Sequence, residues 1–79
     1  METKKKDDRK LLGSQIEDRI LEYIKEKPLE VGDRLPNEFE LAEMFEVGRS
    51  TIREAVKGLV TKGVLQVRRG EGTDVSSLT

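Results

Sequence analysis

Two helical segments joined by a very short connection restrict the fold of this chain more than any other feature of its sequence. The first begins at Asn37, a favoured N-cap residue, and Glu40 stands where the second half of a capping box belongs. This helix is predicted to end near Phe45 or Glu46. A second helix is predicted over residues 49–62, so only about three residues lie between the two. Such a connection forces the helices to cross steeply, which is the helix-turn-helix arrangement.

Apolar residues recur at helical spacing in three segments, which predicts three helices around one core. Residues 11–27 carry the first stripe, which consists of Leu12, Ile16, Ile20, Tyr23 and Ile24. The short helix should turn inward Leu41, Met44 and Phe45. The helix over residues 49–62 carries Ile52, Ala55, Val56, Leu59 and Val60. Gly58 inside that helix indicates a close helix contact, and Gly63 is expected in a left-handed C-terminal cap.

The rest of the chain is typical of a β-hairpin. Strands are predicted over residues 64–68 and 73–75, with Leu65 and Val67 on one face and a glycine-rich tip between the strands. The predicted fold is therefore mainly α with a small β-hairpin: a winged helix-turn-helix of three helices plus a wing.

One domain is expected, over residues 11–75. Residues 1–10 contain eight charged positions and no apolar one after Met1, which favours a flexible charged tail. Residues 76–79 resemble the start of a linker.

Composition excludes several classes of function. The chain has no cysteine and no histidine, so it lacks a thiol nucleophile, the commonest general base and the commonest metal ligand. Its carboxylates are scattered, and we expect neither an enzyme nor a bound cofactor or metal. No apolar run approaches the ~20 residues that span a bilayer, and no signal-peptide core is present. A cytoplasmic protein without membrane contact is expected.

Charge is unevenly distributed along the chain. Residues 1–46 contain nine Lys/Arg and thirteen Asp/Glu, a balance of −4, whereas residues 47–79 contain six and three, a balance of +3. The net charge is only −1, but the cations are concentrated in the second half. This pattern is typical of a protein with one face against phosphate.

The start of the helix over residues 49–62 carries an electrostatic misfit. Arg49 stands at the positive end of the helix dipole, where a cation is disfavoured by about 0.3–1 kcal/mol. Arg53 follows four residues later and adds repulsion of a few tenths of a kcal/mol. Within this turn only Glu54 offers compensation, and it does not share the face of Arg53. We therefore expect the two arginines to lack carboxylates of their own chain and to meet an external anion.

The exposed side of that helix and the hairpin tip suit double-stranded DNA. A helical wheel places Ser50, Arg53, Lys57 and Thr61 opposite the apolar stripe, with Arg49 and Thr51 at its flanks. Arginine can bond guanine bidentately in the major groove, and hydroxyls can hold phosphates. In the hairpin, Arg68 and Arg69 precede Gly70, which lets the backbone approach a groove closely. The predicted DNA-binding residues are Arg49, Ser50, Thr51, Arg53, Lys57, Arg68, Arg69 and Gly70.

Two other functions compete with duplex binding. The aromatic residues are few, and Tyr23 and Phe45 fall on apolar stripes, so a stacking platform for single strands is not expected. The main alternative is a winged helix used as a protein-interaction module, with the helix over residues 49–62 docked on an acidic partner. Catalysis lacks any pair of nucleophile and base.

Four motifs in register resemble one family. The run Gly32 to Ala42 looks like Gly-x-x-Leu-Pro-Ser-Glu-Arg-x-Leu-Ala, and the run Val47 to Ala55 looks like Val-Ser-Arg-Thr-Thr-Val-Arg-Glu-Ala. Gly63-Val64-Leu65 and the run Gly70 to Val75 resemble the family's wing. By these motifs the chain is identified as a member of the GntR family of bacterial transcription regulators, over about residues 11–75.

The resemblance implies a winged-helix domain that binds operator DNA and belongs to a metabolite-responsive regulator, a repressor. It implies DNA contacts at Arg49, Ser50, Thr51 and Arg53, and a wing that reaches the minor groove at Arg69 and Gly70. It also implies a C-terminal domain, absent from this chain, that binds the effector and makes the full-length protein a homodimer.

Several departures from the family pattern matter. Phe39 stands in place of an arginine, Glu46 in place of the glycine of the turn, Gly48 in place of the serine cap, and Asp74 in place of an aromatic residue of the wing. At Glu46 we expect either backbone strain or a different turn.

Overall fold

Three helices precede a two-stranded hairpin. The computed structural model describes residues 4–77, and the side chains of residues 12–77. The elements are α1 (Lys4–Glu26), α2 (Glu38–Phe45), α3 (Arg49–Thr61), β1 (Leu65–Arg68) and β2 (Gly72–Val75). The two strands are antiparallel neighbours. The order of elements confirms the predicted fold class.

Helix α1 begins earlier than the sequence analysis predicted. Residues 1–10 were expected to form a tail and the helix to begin at Leu11, but the backbone is already helical at Lys4. Lysine and arginine are good helix formers, and a helix that is packed further along extends through them easily, because propagation costs far less than nucleation. The helix therefore includes residues 4–10 of the predicted tail, and residues 1–3 lie outside the described residues.

The core lies between α1, α3 and the inner face of the hairpin. Ile16, Ile20 and Ile24 of the predicted α1 stripe are buried. Among residues 12–77 the buried apolar residues are Ile16, Ile20, Ile24, Leu35, Leu41, Ala42, Ile52, Ala55, Leu59, Leu65 and Val75. Burial of each large side chain is worth about 1.5–3 kcal/mol, so this set supplies most of the driving force for folding.

Several residues that the stripes placed in the core lie at its edge. Met44 is 44% exposed, so its predicted inward orientation is wrong. Helix α2 has only two turns, and Leu41, Ala42 and Phe45 occupy its inner face. Leu12, Val60 and Val67 are also exposed. Each lies at the border of an apolar stripe or strand face whose other residues are buried.

The turn between α2 and α3 is tightly bonded. The predicted capping box is present: the Glu40 N–H donates to Asn37 Oδ1 at 2.8 Å, and the Asn37 N–H donates to Glu40 Oε1 at 3.0 Å. At the other end of α2, Glu46 takes a left-handed conformation with φ 58°. The Val47 N–H donates to Ala42 O at 3.1 Å, which closes the turn. The strain expected at Glu46 is therefore present.

The hairpin is anchored on both sides. Leu35 N–H donates to Thr73 O at 2.9 Å, and Val75 N–H donates to Asp33 O at 2.9 Å, so the segment before α2 pairs with β2. The N–H of Ser76 bonds Val64 O at 2.7 Å, so the predicted linker is still attached to the hairpin at this residue. These bonds fix the wing relative to the helix-turn-helix.

Candidate nucleic-acid interface

The N-terminal end of α3 carries positive charge that nearby acidic residues neutralise only slightly. Arg49 is the first residue of the helix and is exposed. The first turn contains no acidic residue, and Gly48 makes no side-chain capping bond. Within residues 12–77 no ion pair is recorded for Arg49. An anion brought to this end would meet both the helix dipole and a guanidinium.

Arg53 has a partner in its own chain, contrary to expectation. Its Nε lies 3.4 Å from both carboxylate oxygens of Glu38. The tight turn brings the start of α2 beside α3, so the carboxylate comes from a different helix, which spacing along α3 does not reveal. The pair is weak, because the distance is long and the side chains are 61% and 43% exposed, so water screens it.

The outer face of α3 matches the helical-wheel prediction. Ser50, Arg53 and Lys57 are exposed and Thr51 is half-buried, while Ile52, Ala55 and Leu59 are buried on the opposite side. The structure therefore brings the predicted residues of α3 together on one surface. Hydroxyls beside cations can hold phosphate oxygens, and arginine can bond the edge of a guanine.

A groove of about 310 Å³ separates α3 from the hairpin. Arg53, Lys57 and Val60 line one side, and Val67 and Thr73 line the other. This position accounts for the exposure of the two valines. The rest of the lining is mainly apolar, but the carboxylates of Glu38 and Glu54 stand beside the two cations, so the charges of the groove balance within the chain.

The two arginines of the wing are in different environments. Arg69 and Gly70 are exposed at the tip. The Nε–H of Arg68 instead donates to Asp74 Oδ2 at 2.6 Å. In the sequence, Asp74 stands out only as a replacement for an aromatic residue. The strand register pairs Gln66 with Asp74 and so places Arg68 one diagonal step from Asp74.

The C-terminal end of α3 is bound to α1. Lys62 Nζ lies 2.6 Å from Glu17 Oε1, and this hydrogen bond together with the charge of Glu17 raises the pKa of Lys62 above 10.5. The Glu17 carboxylate lies over Gly58, where an added Cβ would stand 2.9 Å from its Cδ. The close helix contact predicted at Gly58 is confirmed.

Two further observations bear on function. Among the described residues, no group of three or more His, Cys, Asp or Glu side chains is arranged to hold a metal ion. In the same part of the chain, every helix is too short or too polar to cross a membrane.

Comparison with known sequences places this arrangement among regulators. The family model described as "Bacterial regulatory proteins, gntR family" matches residues 12–75. The HTH-type transcriptional repressor NanR of Enterobacter sp. (strain 638) is 40% identical over 68 residues, which is 86% of this chain and 26% of that protein. A putative L-lactate dehydrogenase operon regulatory protein of Escherichia coli (strain K12) is 47% identical over 62 residues, 78% of this chain and 24% of that protein. The chain thus spans about a quarter of the length of these curated relatives.

Solved structures agree with this match. A GntR protein of Streptococcus agalactiae is 55% identical with a TM-score of 0.78, covering 82% of this chain and 31% of that one. The DNA-binding domain of AraR in complex with operator ORX1 is 34% identical with a TM-score of 0.74, covering 81% of this chain and 77% of that one. Sequence motifs, fold and the exposed face of α3 therefore lead to one conclusion: the chain belongs to the GntR family of bacterial regulatory proteins.

Proposed function

We propose that this chain binds operator DNA sequence-specifically as the DNA-binding domain of a transcription regulator. The N-terminal end of α3 enters the major groove, and the wing over residues 68–72 lies alongside in the minor groove. The observation that carries the proposal is the pair Arg49 and Arg53, exposed where the helix dipole disfavours cations and opposed only by a weak, solvent-screened contact. The similar AraR DNA-binding domain is in complex with an operator, which supports operator binding by this fold.

The contact residues follow from this orientation. Arg49 and Arg53 bond base edges, Ser50, Thr51 and Lys57 hold the phosphates beside them, and the wing contributes Arg69 and Gly70. Arg68 borders this set, but its guanidinium is bound to Asp74, so we do not assign it to DNA. The chemistry is binding alone, without a catalytic step or a cofactor, and its place is the bacterial cytoplasm, where operator DNA lies.

Regulation is proposed to involve a larger protein. The matched NanR repressor is more than three times as long as this chain, since the 68 matched residues are 26% of it. We propose that the full-length protein is a homodimeric, metabolite-responsive repressor that binds two half-sites by symmetry, with its effector bound outside residues 12–75. The chain by itself should therefore bind one half-site weakly.

Selection of bound sequences from a random duplex pool tests the proposal directly. A recurring half-site is expected, and its affinity should fall steeply with salt, by about 0.9 log units per log unit of salt for each phosphate neutralised. A flat salt response, or no duplex binding at low salt, would contradict DNA binding and favour the alternative of docking on an acidic protein.

A further inference from the structure

Asp74 of the wing has a buried carboxylate, and only one of its two oxygens accepts a hydrogen bond. The residue is only 7% exposed. Its Oδ2 accepts the Nε–H of Arg68 at 2.6 Å, while its Oδ1 is buried and has no hydrogen-bond partner in the described structure. A buried carboxylate with one oxygen already unsatisfied depends strongly on the cation that binds the other.

The register of the hairpin determines where Arg68 is held. Asp74 stands opposite Gln66, and Arg68 stands opposite Gly72, next to the tip. To reach Asp74, the guanidinium of Arg68 must therefore lie back along the sheet, away from the tip. Across the other edge of β2, Arg34 is paired with Asp74 by a backbone bridge, but no hydrogen bond joins their side chains.

Arg69 differs from Arg68 in its position on the hairpin and in its ion pairing. It lies beyond the last paired residue of β1, is exposed, and has no recorded ion pair among the described residues. The hairpin thus carries two consecutive arginines, of which one is bound by the fold and the other is available to a ligand.

We propose that Asp74 retains Arg68 inside the wing when the protein is on DNA, so that Arg69 alone of the two arginines neutralises a phosphate. The proposal rests on the proposed function. Transfer of Arg68 to a phosphate would leave the Asp74 carboxylate buried without its cation and close to a second anion, which is strongly unfavourable. Arg68 is thus a positioning residue, which acts through the shape of the wing.

Matched glutamine variants of the two arginines test this assignment. The salt dependence of duplex binding would be measured from about 50 to about 200 mM salt for the parent chain, Arg68→Gln and Arg69→Gln. Arg69→Gln should reduce the slope by about 0.9, whereas Arg68→Gln should leave it unchanged. An equal reduction in both variants would overturn the proposal.

Asp74→Asn should change the salt dependence of duplex binding in the opposite direction to Arg69→Gln. The amide has nearly the same shape but no charge, so it should release Arg68 to a phosphate, raise duplex affinity and increase the slope by up to about 0.9. An unchanged or reduced slope in a variant whose circular dichroism matches the parent would overturn the proposal.

A measurement without DNA separates this proposal from the proposed function. The Nε–H of Arg68 should exchange slowly with solvent in nuclear magnetic resonance spectra of the parent chain, and rapidly in Asp74→Asn, whereas that of Arg69 should be rapid in both. Rapid exchange at Arg68 in the parent would overturn the retention by Asp74. If exchange is slow but the parent binds no duplex at any salt concentration, the proposed function fails, and with it the role assigned to Arg69.

Discussion

Helix α3 has positively charged side chains at both ends, and the ion pairs at the two ends differ in distance and in exposure to solvent. At the C-terminal end, where the helix dipole favours cations, Lys62 lies 2.6 Å from Glu17, whose side chain is only 16% exposed. At the N-terminal end, where the dipole disfavours them, Arg53 lies 3.4 Å from Glu38, whose side chain is 43% exposed. Arg49 beside it has no recorded ion pair within residues 12–77.

This contrast separates charge that the fold uses from charge that is available for binding. Lys62 joins α3 to α1, and its removal would loosen that contact. The N-terminal arginines add little to the packing of the domain, and their position raises the energy of the free protein slightly. We therefore expect substitutions at the N-terminal end to change DNA binding and substitutions at the C-terminal end to change stability.

The largest expected effect is on binding, at Arg53. Arg53→Ala should cost about 1–3 kcal/mol of specific binding and relax the base preference at one position of the half-site. Lys62→Ala, which removes a cation from the other end of the same helix, should bind the selected half-site as the parent does. Fluorescence anisotropy on that duplex measures both. Equal affinity of Arg53→Ala and the parent would show that the face of α3 has been assigned wrongly.

The connections at the two ends of α3 also differ, and this gives the next effect. Gly63 follows the helix at φ 83°, a conformation that glycine adopts freely, whereas Glu46 precedes it at φ 58° with a side chain that disfavours it. Glu46→Gly should relieve the strain and stabilise the domain by about 0.5–1 kcal/mol, or about 2–8 °C in Tm. Calorimetry would measure the change.

Two control variants sharpen that comparison. Glu46→Ala keeps a Cβ in the left-handed region and should give no such gain, while Gly63→Ala should destabilise the domain by about 1–2 kcal/mol. A loss of stability in Glu46→Gly would mean that the turn depends on the glutamate side chain and that the backbone there is not strained.

A smaller effect is expected for the ion pairs themselves. Double-mutant cycles with Glu38→Gln and Arg53→Gln should give a coupling energy of about 0.2–1 kcal/mol in urea unfolding, as exposed pairs do. The same cycle at Glu17 and Lys62 should give a larger coupling, because its distance is shorter and its carboxylate is nearly buried. The reverse order would remove the distinction between the two ends.

The local features of this fold were predictable from the sequence, because they depend on neighbours along the chain. The capping box at Asn37, the start of α3 at Arg49 and the left-handed Gly63 each follow from a few adjacent residues. The buried stripe of α3 follows from periodicity alone. Periodicity predicted the burial of Met44 wrongly, because a two-turn helix has few inward positions and packing decides which residues occupy them.

The ion pairs could not be predicted in the same way, because each joins two different elements. Glu38 meets Arg53 across the turn, and Asp74 meets Arg68 across the hairpin. The second contact could have been found from the predicted hairpin, since antiparallel register places residues at diagonal positions within reach of a long side chain. The first depends on which side chains of α2 and α3 meet where the two helices cross, and the length of the connection predicts the crossing but not those neighbours.

The smallest effect is the pH dependence of the C-terminal pair. The hydrogen bond and charge of Glu17 raise the pKa of Lys62 in the folded state above its ordinary value of 10.5. The stability that this pair contributes is therefore fully present below pH 10.5 and is lost as the pH rises through the folded-state pKa. Thermal unfolding from neutral to strongly alkaline pH should show the parent more stable than Lys62→Gln at neutral pH, with the difference vanishing at the alkaline end. Lys57→Gln, on the outer face of the same helix, serves as the control. The difference in stability between this variant and the parent should be the same at every pH. A constant difference between the parent and Lys62→Gln at all pH values would mean that Lys62 stabilises the domain through the packing of its methylene groups and not through its charge.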